Sequence, residues 1–144
     1  MVIAMIDALI VRAYDELQCY SLAHGAPSFI HQHVVDAWAA QLANAQTKPI
    51  SLTFALVGLY LHVERGFSGR QVQQAHQQLA RRKQPWPSFP LPSERGKTTV
   101  VDVIAAPAGL PRDRAIDQWC TSVWDAYREC HGAVAALVRQ NGIL

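Results

Sequence analysis

The stretch PISLTFALVGLYLHVERG, Pro49 to Gly66, decides the fold. It opens on a proline, which suits a first helical position because its missing N–H would have no intrahelical partner there. It closes on a glycine, the residue that most readily takes the left-handed cap conformation. Between them, from Ile50 to Val63, apolar residues occupy nearly every side of a helix, so neighbours must cover it all round. The run is shorter than the roughly 20 residues a membrane span needs, and it contains His62. A buried central helix over about 49–65 is therefore expected. Ser51, Ala55, Gly58 and His62 share one narrow stripe, and small residues there let a second helix approach closely. The run ends in His62, Glu64 and Arg65, charge at the edge of a core that must be paired, solvated or used.

The flanking sequence supplies the rest of a bundle. Upstream, Ile6, Leu9, Ile10, Ala13, Tyr14 and Leu17 repeat at helical spacing, which predicts a first helix over Ile3 to Leu22, ended by His24-Gly25-Ala26-Pro27. A second helix is expected from about Pro27 to Ala45, with Ser28 as its cap or Pro27 as its first residue. Downstream, Ser68 can cap a fourth helix reaching about Arg82, with Gln71, Gln73, Gln74, Gln77 and Gln78 on an exposed face. Gln84 to Pro92 reads QPWPSFPLP, with four prolines in eight residues. That stretch cannot be helical and is expected as an extended strap laying Trp86, Phe89 and Leu91 on the bundle. A short helix over Thr98 to Ala106, capped by Thr98 or Thr99, and a long last helix over Arg112 to Gln140 complete the chain. No strand pattern and no repeat interrupts this order. The reading is all-α: a single compact bundle of five to six helices as one domain over residues 1–144, with the strap at 84–92.

Composition agrees. In 144 residues, 50% hydrophobic and 17% charged, there is apolar surface for a sizeable core, which excludes a disordered, collagen-like or disulfide-stapled chain. A net charge of +2 argues against nucleic acid or an anionic membrane as partner. The opening MVIAMIDALIVRAYDELQ makes a poor signal peptide: no basic residue precedes the apolar stretch and Asp7 interrupts it. A cytoplasmic chain with reduced thiols is expected. Cys120 and Cys130 on one helix would sit about 15 Å apart along its axis, too far for a disulfide.

The chemistry-bearing residues concentrate in FIHQHVVDAW. On a helical projection His31 falls between Trp38 and Leu42 on the apolar face, whereas His33 and Asp36 lie about 60° apart on another. A buried histidine serves as a metal ligand, a general base or a hydrogen-bonded core residue. Cys19, His31, Asp36, Glu64 and His131 form an inventory of metal donors, joined by His24 and His62, from which a divalent transition metal could be bound. No CxxC, HExxH or paired Glu-x-x-His supports that inventory, and no motif requires a cofactor. GKTT at Gly96 to Thr99 is no phosphate loop, because Leu91 stands where its first glycine belongs. Trp119, Val123, Trp124, Tyr127 and Cys130 recur at helical spacing and read as core ahead of His131.

Four segments together, HQHVVDAWAAQ (His31 to Gln41), LYLHVERG (Leu59 to Gly66), TTVVDVIAAP (Thr98 to Pro107) and VWDAYRECH (Val123 to His131), are similar to a family of small helical bacterial proteins known only as a domain of unknown function. The resemblance implies a soluble bacterial helical protein and supplies no activity. The matching positions include His31, Asp36, Gln41, Glu64, Arg65 and His131. Some relatives carry an extra cysteine pair ahead of the first helix, absent here, so a structural zinc does not carry over. Two readings follow. In the first, the chain is a structural or binding domain for a small molecule or a protein, with His31, Asp36, Gln41, Glu64, Arg65 and His131 as a polar cluster embedded in apolar surroundings. In the second, it is a metal-dependent enzyme or binder using Cys19, His31, Asp36, Glu64 and His131 at one end of the bundle. A long exposed apolar patch on the first or last helix would indicate a homodimer.

Overall fold

The central helix forms as its sequence requires. In a computed structural model, which describes residues 2–24 and 28–144, Pro49–Arg65 is helical and every residue from Ala55 to Leu61 is buried. Its proline occupies the first turn, and Gly66 closes it at φ 70°, where the Phe67 N–H reaches the Leu61 carbonyl at 2.9 Å. Each leucine so buried contributes about 1.5–3 kcal/mol relative to exposure.

We number the helices α1 (Val2–His24), α2 (His31–Gln41), α3 (Pro49–Arg65), α4 (Gly69–Ala80), α5 (Val100–Ala105), α6 (Leu110–Ala126) and α7 (His131–Gln140). The described residues contain no strand. Helix α3 is covered by α2, α4, α6 and α7, while α1 packs on α2 and α5 through Ala13, Leu17 and Tyr20. None of the described helices is long and apolar enough to cross a membrane. The expected turn at Gly25 to Pro27 lies outside the described residues, as do the side chains of Ile3, Ile6 and His24.

Local signals held where a side chain could satisfy a helix end. Ser68 caps α4 reciprocally with Gln71, at 3.2 and 2.8 Å, and the Thr99 N–H donates to Asp102 at the start of α5. The strap packs Trp86, Phe89 and Leu91 on the core, Trp86 meeting the Phe54 ring edge-on at 5.3 Å. Beyond it, Arg95 donates to the carbonyls of Pro92, Gln41 and Ala43. A guanidinium at the C-terminal end of α2 satisfies carbonyls that the helix cannot and complements its dipole.

Three boundaries differ from expectation: α2 stops at Gln41 rather than Ala45, and two others have tertiary causes. Helix α2 starts at His31, after a turn at residues 28–30 in which Phe29 has φ 57°. That turn is held by α4: the Arg70 N–H donates to the Ser28 carbonyl at 2.9 Å, and Gly69 lies so close to the Phe29 carbonyl that a Cβ there would overlap it. The long last helix divides into α6 and α7 through a 3-10 turn at Arg128–Cys130. Neither proline nor glycine marks the break. It coincides with two tertiary bonds, Tyr127 Oη to the Ala40 carbonyl at 2.6 Å and His131 Nε2 to the Trp124 carbonyl at 2.8 Å.

Candidate functional site

Helices α2 and α3 run antiparallel in contact, so residues one turn apart on each meet in order: His33 against His62, and Asp36 against Gly58. Gly58 permits this approach. A Cβ there would overlap the Asp36 carboxyl, lying 2.6 Å from its Cγ, and would sit 3.2 Å from Nε2 of His76 on α4. The stripe containing Ala55, Gly58 and His62 is thus the seam on which α2 docks, while Ser51 at its other end is exposed.

The His33 and His62 rings stack with centroids 3.5 Å apart and planes within 17°. His62 donates from Nδ1 to the Phe67 carbonyl at 3.1 Å, and its Nε2 lies 2.9 Å from Oδ1 of Asp117 on α6. Both partners are acceptors, so the two bonds form together only when both ring nitrogens carry hydrogen. His33 itself is 5% exposed and its Nδ1 has no hydrogen-bond partner. Burial, then the neighbouring His62, drives its pKa down to about 3, with the Asp117 carboxylate opposing.

Asp36 is buried as completely, at 4% exposure. Its Oδ1 accepts from Gln32 at 3.1 Å, but Oδ2, against Gly58, has no partner. Burial raises its pKa well above the carboxylate range, and the Gln32 bond offsets only part of this. His76 donates from Nε2 to the Phe54 carbonyl at 2.7 Å, and burial lowers its pKa too. The Cys120 thiol, near the His33 carbonyl at 3.6 Å, is pushed up by burial and by Asp117 and Asp36, so it is an unreactive thiol. The seam therefore holds two titratable groups, His33 and Asp36, whose burial favours their neutral forms, each with an unsatisfied atom. Leaving such an atom buried costs roughly 1–3 kcal/mol, and buried groups displaced this far from their ordinary protonation mark candidate functional sites.

The sign of the His33 shift is testable. The unfolded chain binds a proton at His33 below its ordinary pKa of 6.5, but the folded chain does not until about 3. The stabilisation from keeping this ring neutral is thus complete above pH 6.5 and is lost as pH falls toward 3, by at most ~1.4 kcal/mol per pH unit. Urea denaturation of His33→Asn should show less acid sensitivity than the wild type. Equal slopes between pH 4 and 6.5 would contradict a neutral buried His33.

Several expectations for individual residues need correction. His31, expected on the apolar face, is only half-buried and lies 2.8 Å from Ser21 Oγ through Nδ1; His33 is the buried one. The reason is that α2 is buried against α3 on one side and α6 on another, while Trp38 leans outward to stack on Tyr14 at 3.9 Å. Glu64 and Arg65 are exposed rather than embedded. Glu64 accepts from the Trp124 indole at 2.6 Å and lies 3.9 Å from Nδ1 of His131, whose ring stacks on Trp124 at 3.9 Å. Gln41 is a fastener: it accepts from the Trp119 indole at 2.8 Å and donates to the carbonyls of Arg95 and Thr98.

The proposed metal donors are dispersed. Glu64 and His131 approach one another, but Cys19 is exposed on α1, His31 is with Ser21 and Asp36 is against Gly58. Among the described residues no group of three His, Cys, Asp or Glu is placed to hold a metal ion. Asp117, Gly58 and His76 were not candidates from sequence. The usable signal was the pair of spacings His33-x-x-Asp36 and Gly58-x-x-x-His62, which match once two helices run antiparallel.

Asp117 also opens outward. It lines a groove of about 1060 Å³ between α6 and the end of the strap, whose walls include Pro92, Gly96, Thr121 and Tyr127. Four carboxylates, Glu94, Asp117, Asp125 and Glu129, face it against two cations, Lys97 and Arg128.

Residues 11–128 match a family of unknown function, DUF5946. The chain belongs to that family. No curated protein and no solved structure is significantly similar to it. Every residue of the seam lies inside the matched stretch, and so does the groove lining except Glu129 and Cys130. The family assignment agrees with the resemblance read from the four segments and adds no activity to it.

Proposed function

We propose that this DUF5946 member is a binding domain for a small amine-bearing ligand, seated in the groove between the strap and α6. One observation carries the reading. Asp117 lines the groove and also holds His62, which stacks on the unsatisfied His33. A cation reaching Asp117 would therefore compete directly with the His62 bond and alter the seam behind it. The excess of carboxylates favours a cationic occupant, and the rigid proline strap supplies a preformed wall. The bacterial, cytoplasmic setting read from the sequence belongs to the same proposal, its cytoplasmic part in keeping with the free Cys19, Cys120 and Cys130. Nothing in the geometry of the described residues favours the metal-dependent reading over this one.

Thermal melting with spermidine as the probe amine and citrate as the anionic control tests it. Spermidine should raise the Tm of the wild type by several degrees, shift Asp117→Asn much less, and citrate should shift neither. A Tm unmoved by spermidine, or moved equally in both proteins, would overturn the proposal.

A further inference from the structure

A second unexplained surface lies on α1. Met5, Leu9, Arg12, Glu16, Cys19 and Ala23 follow one another at spacings of four, three, four, three and four, and all six are exposed. This alternation keeps residues on a single stripe that faces a partner helix. With 1.5 Å per residue, the stripe runs roughly 27 Å. Its apolar half stands out of the surface, with Met5 67% and Leu9 58% exposed. Beside it, Leu9, Ile10, Ala13, Val101 and Ile104 line a cleft of about 330 Å³ between α1 and α5. The charges bordering that cleft are Arg12 and Glu16, one turn apart, and neither forms an ion pair with another described residue.

We infer that this stripe is the interface for a second copy of the chain, with the two α1 helices antiparallel about a two-fold axis near residue 14. The pattern is its own complement. Placing Arg12 opposite Glu16 of the partner subunit also sets Leu9 opposite Cys19 of the partner subunit and Met5 opposite Ala23 of the partner subunit. Each large side chain meets a small one and each charge meets its opposite, as an isologous contact requires. A parallel pairing would set Arg12 on Arg12 of the partner subunit and Glu16 on Glu16 of the partner subunit. The exposed apolar side chains and the cleft lose their contact with water in the antiparallel arrangement alone without opposing like charges.

The register predicts a specific cross-link. Leu9→Cys places a thiol opposite Cys19 of the partner subunit, whereas in one chain positions 9 and 19 are about 15 Å apart along the helix, beyond disulfide reach. Mild oxidation should convert Leu9→Cys to a disulfide-linked dimer on a non-reducing gel, and leave the wild type and Leu9→Cys/Cys19→Ser unlinked. Sedimentation should show a wild-type dimer, weakened at least tenfold by Arg12→Glu and restored by Arg12→Glu/Glu16→Arg. All these positions are exposed, so the variants keep their fold, which melting confirms. A wild type that sediments as a monomer would overturn the interface. A dimer indifferent to Arg12→Glu, or one linked through Cys19 alone, would overturn this register. The cleft shares no residue with the groove beside the strap, so either result stands apart from the amine-binding test.

Discussion

Asp36→Asn should change how the stability of this protein responds to pH more than any other single substitution. Folded Asp36 keeps its proton because burial raises its pKa well above the ordinary 3.8. The unfolded chain releases that proton above pH 3.8, so the contribution is fully present below that value and is lost as pH rises toward the folded pKa. His33 acts in the opposite sense between about pH 3 and 6.5. Where the two windows overlap, above 3.8 and below 6.5, the Asp36 and His33 slopes oppose one another. Each slope is at most ~1.4 kcal/mol per pH unit. Relative to the wild type, Asp36→Asn should therefore gain stability as pH rises above 3.8, and should be the more acid-sensitive of the two below 6.5. Urea titrations of both proteins from pH 4 to 9 read this directly. A gap that does not change with pH would show that Asp36 is not held protonated.

Gly58→Ala should cost at least ~2 kcal/mol in urea denaturation, although alanine is the better helix former by up to ~1 kcal/mol. The added methyl overlaps a carboxyl that has no room to retreat, with Asp36 4% exposed and His76 Nε2 on the far side of the same space. Truncating the obstacle should rescue it. In an Asp36→Ala background the substitution should become neutral or stabilising, giving a coupling of at least ~2 kcal/mol in the double-mutant cycle. If Gly58→Ala alone melts at or above the wild type, α2 and α3 are not in the contact described.

Both results concern positions that the sequence marked for a different reason. Gly58 and His62 stood out as a close-packing stripe, and Gly58 and His62 do form the seam. Asp36 stood out as a carboxyl in apolar company, and it is buried. A helical projection puts His33 with Asp36 on one face but gives no reason to prefer it to His31 as the buried histidine. The apolar pattern of α2 could not resolve this choice, because Val34, Ala37 and Ala40 are buried while Trp38 and Ala39 are half-buried. A helix covered on several sides has no single apolar face from which to read its orientation. Glu64 and Arg65 mislead for a related reason: periodicity shows where α3 is apolar, but not how far its neighbours extend along it.

What the sequence determined by itself is local. Proline at Pro49, glycine at Gly66, the Ser68–Gln71 box and the proline run at 84–92 each act on their own backbone, through fixed dihedrals or bonds within a turn. The all-round apolarity of Ile50 to Val63 then required a bundle to surround it. Tertiary structure alone decided the break at Tyr127, the turn at Phe29, the pairing of His33 with His62, and the reach of Asp117 from the groove to the seam. Those depend on which carbonyls and rings from distant segments arrive beside each other, separations of 55 residues for His62 and Asp117 and 87 for Ala40 and Tyr127. No pattern within one helix encodes such meetings; they follow from how whole helices pack.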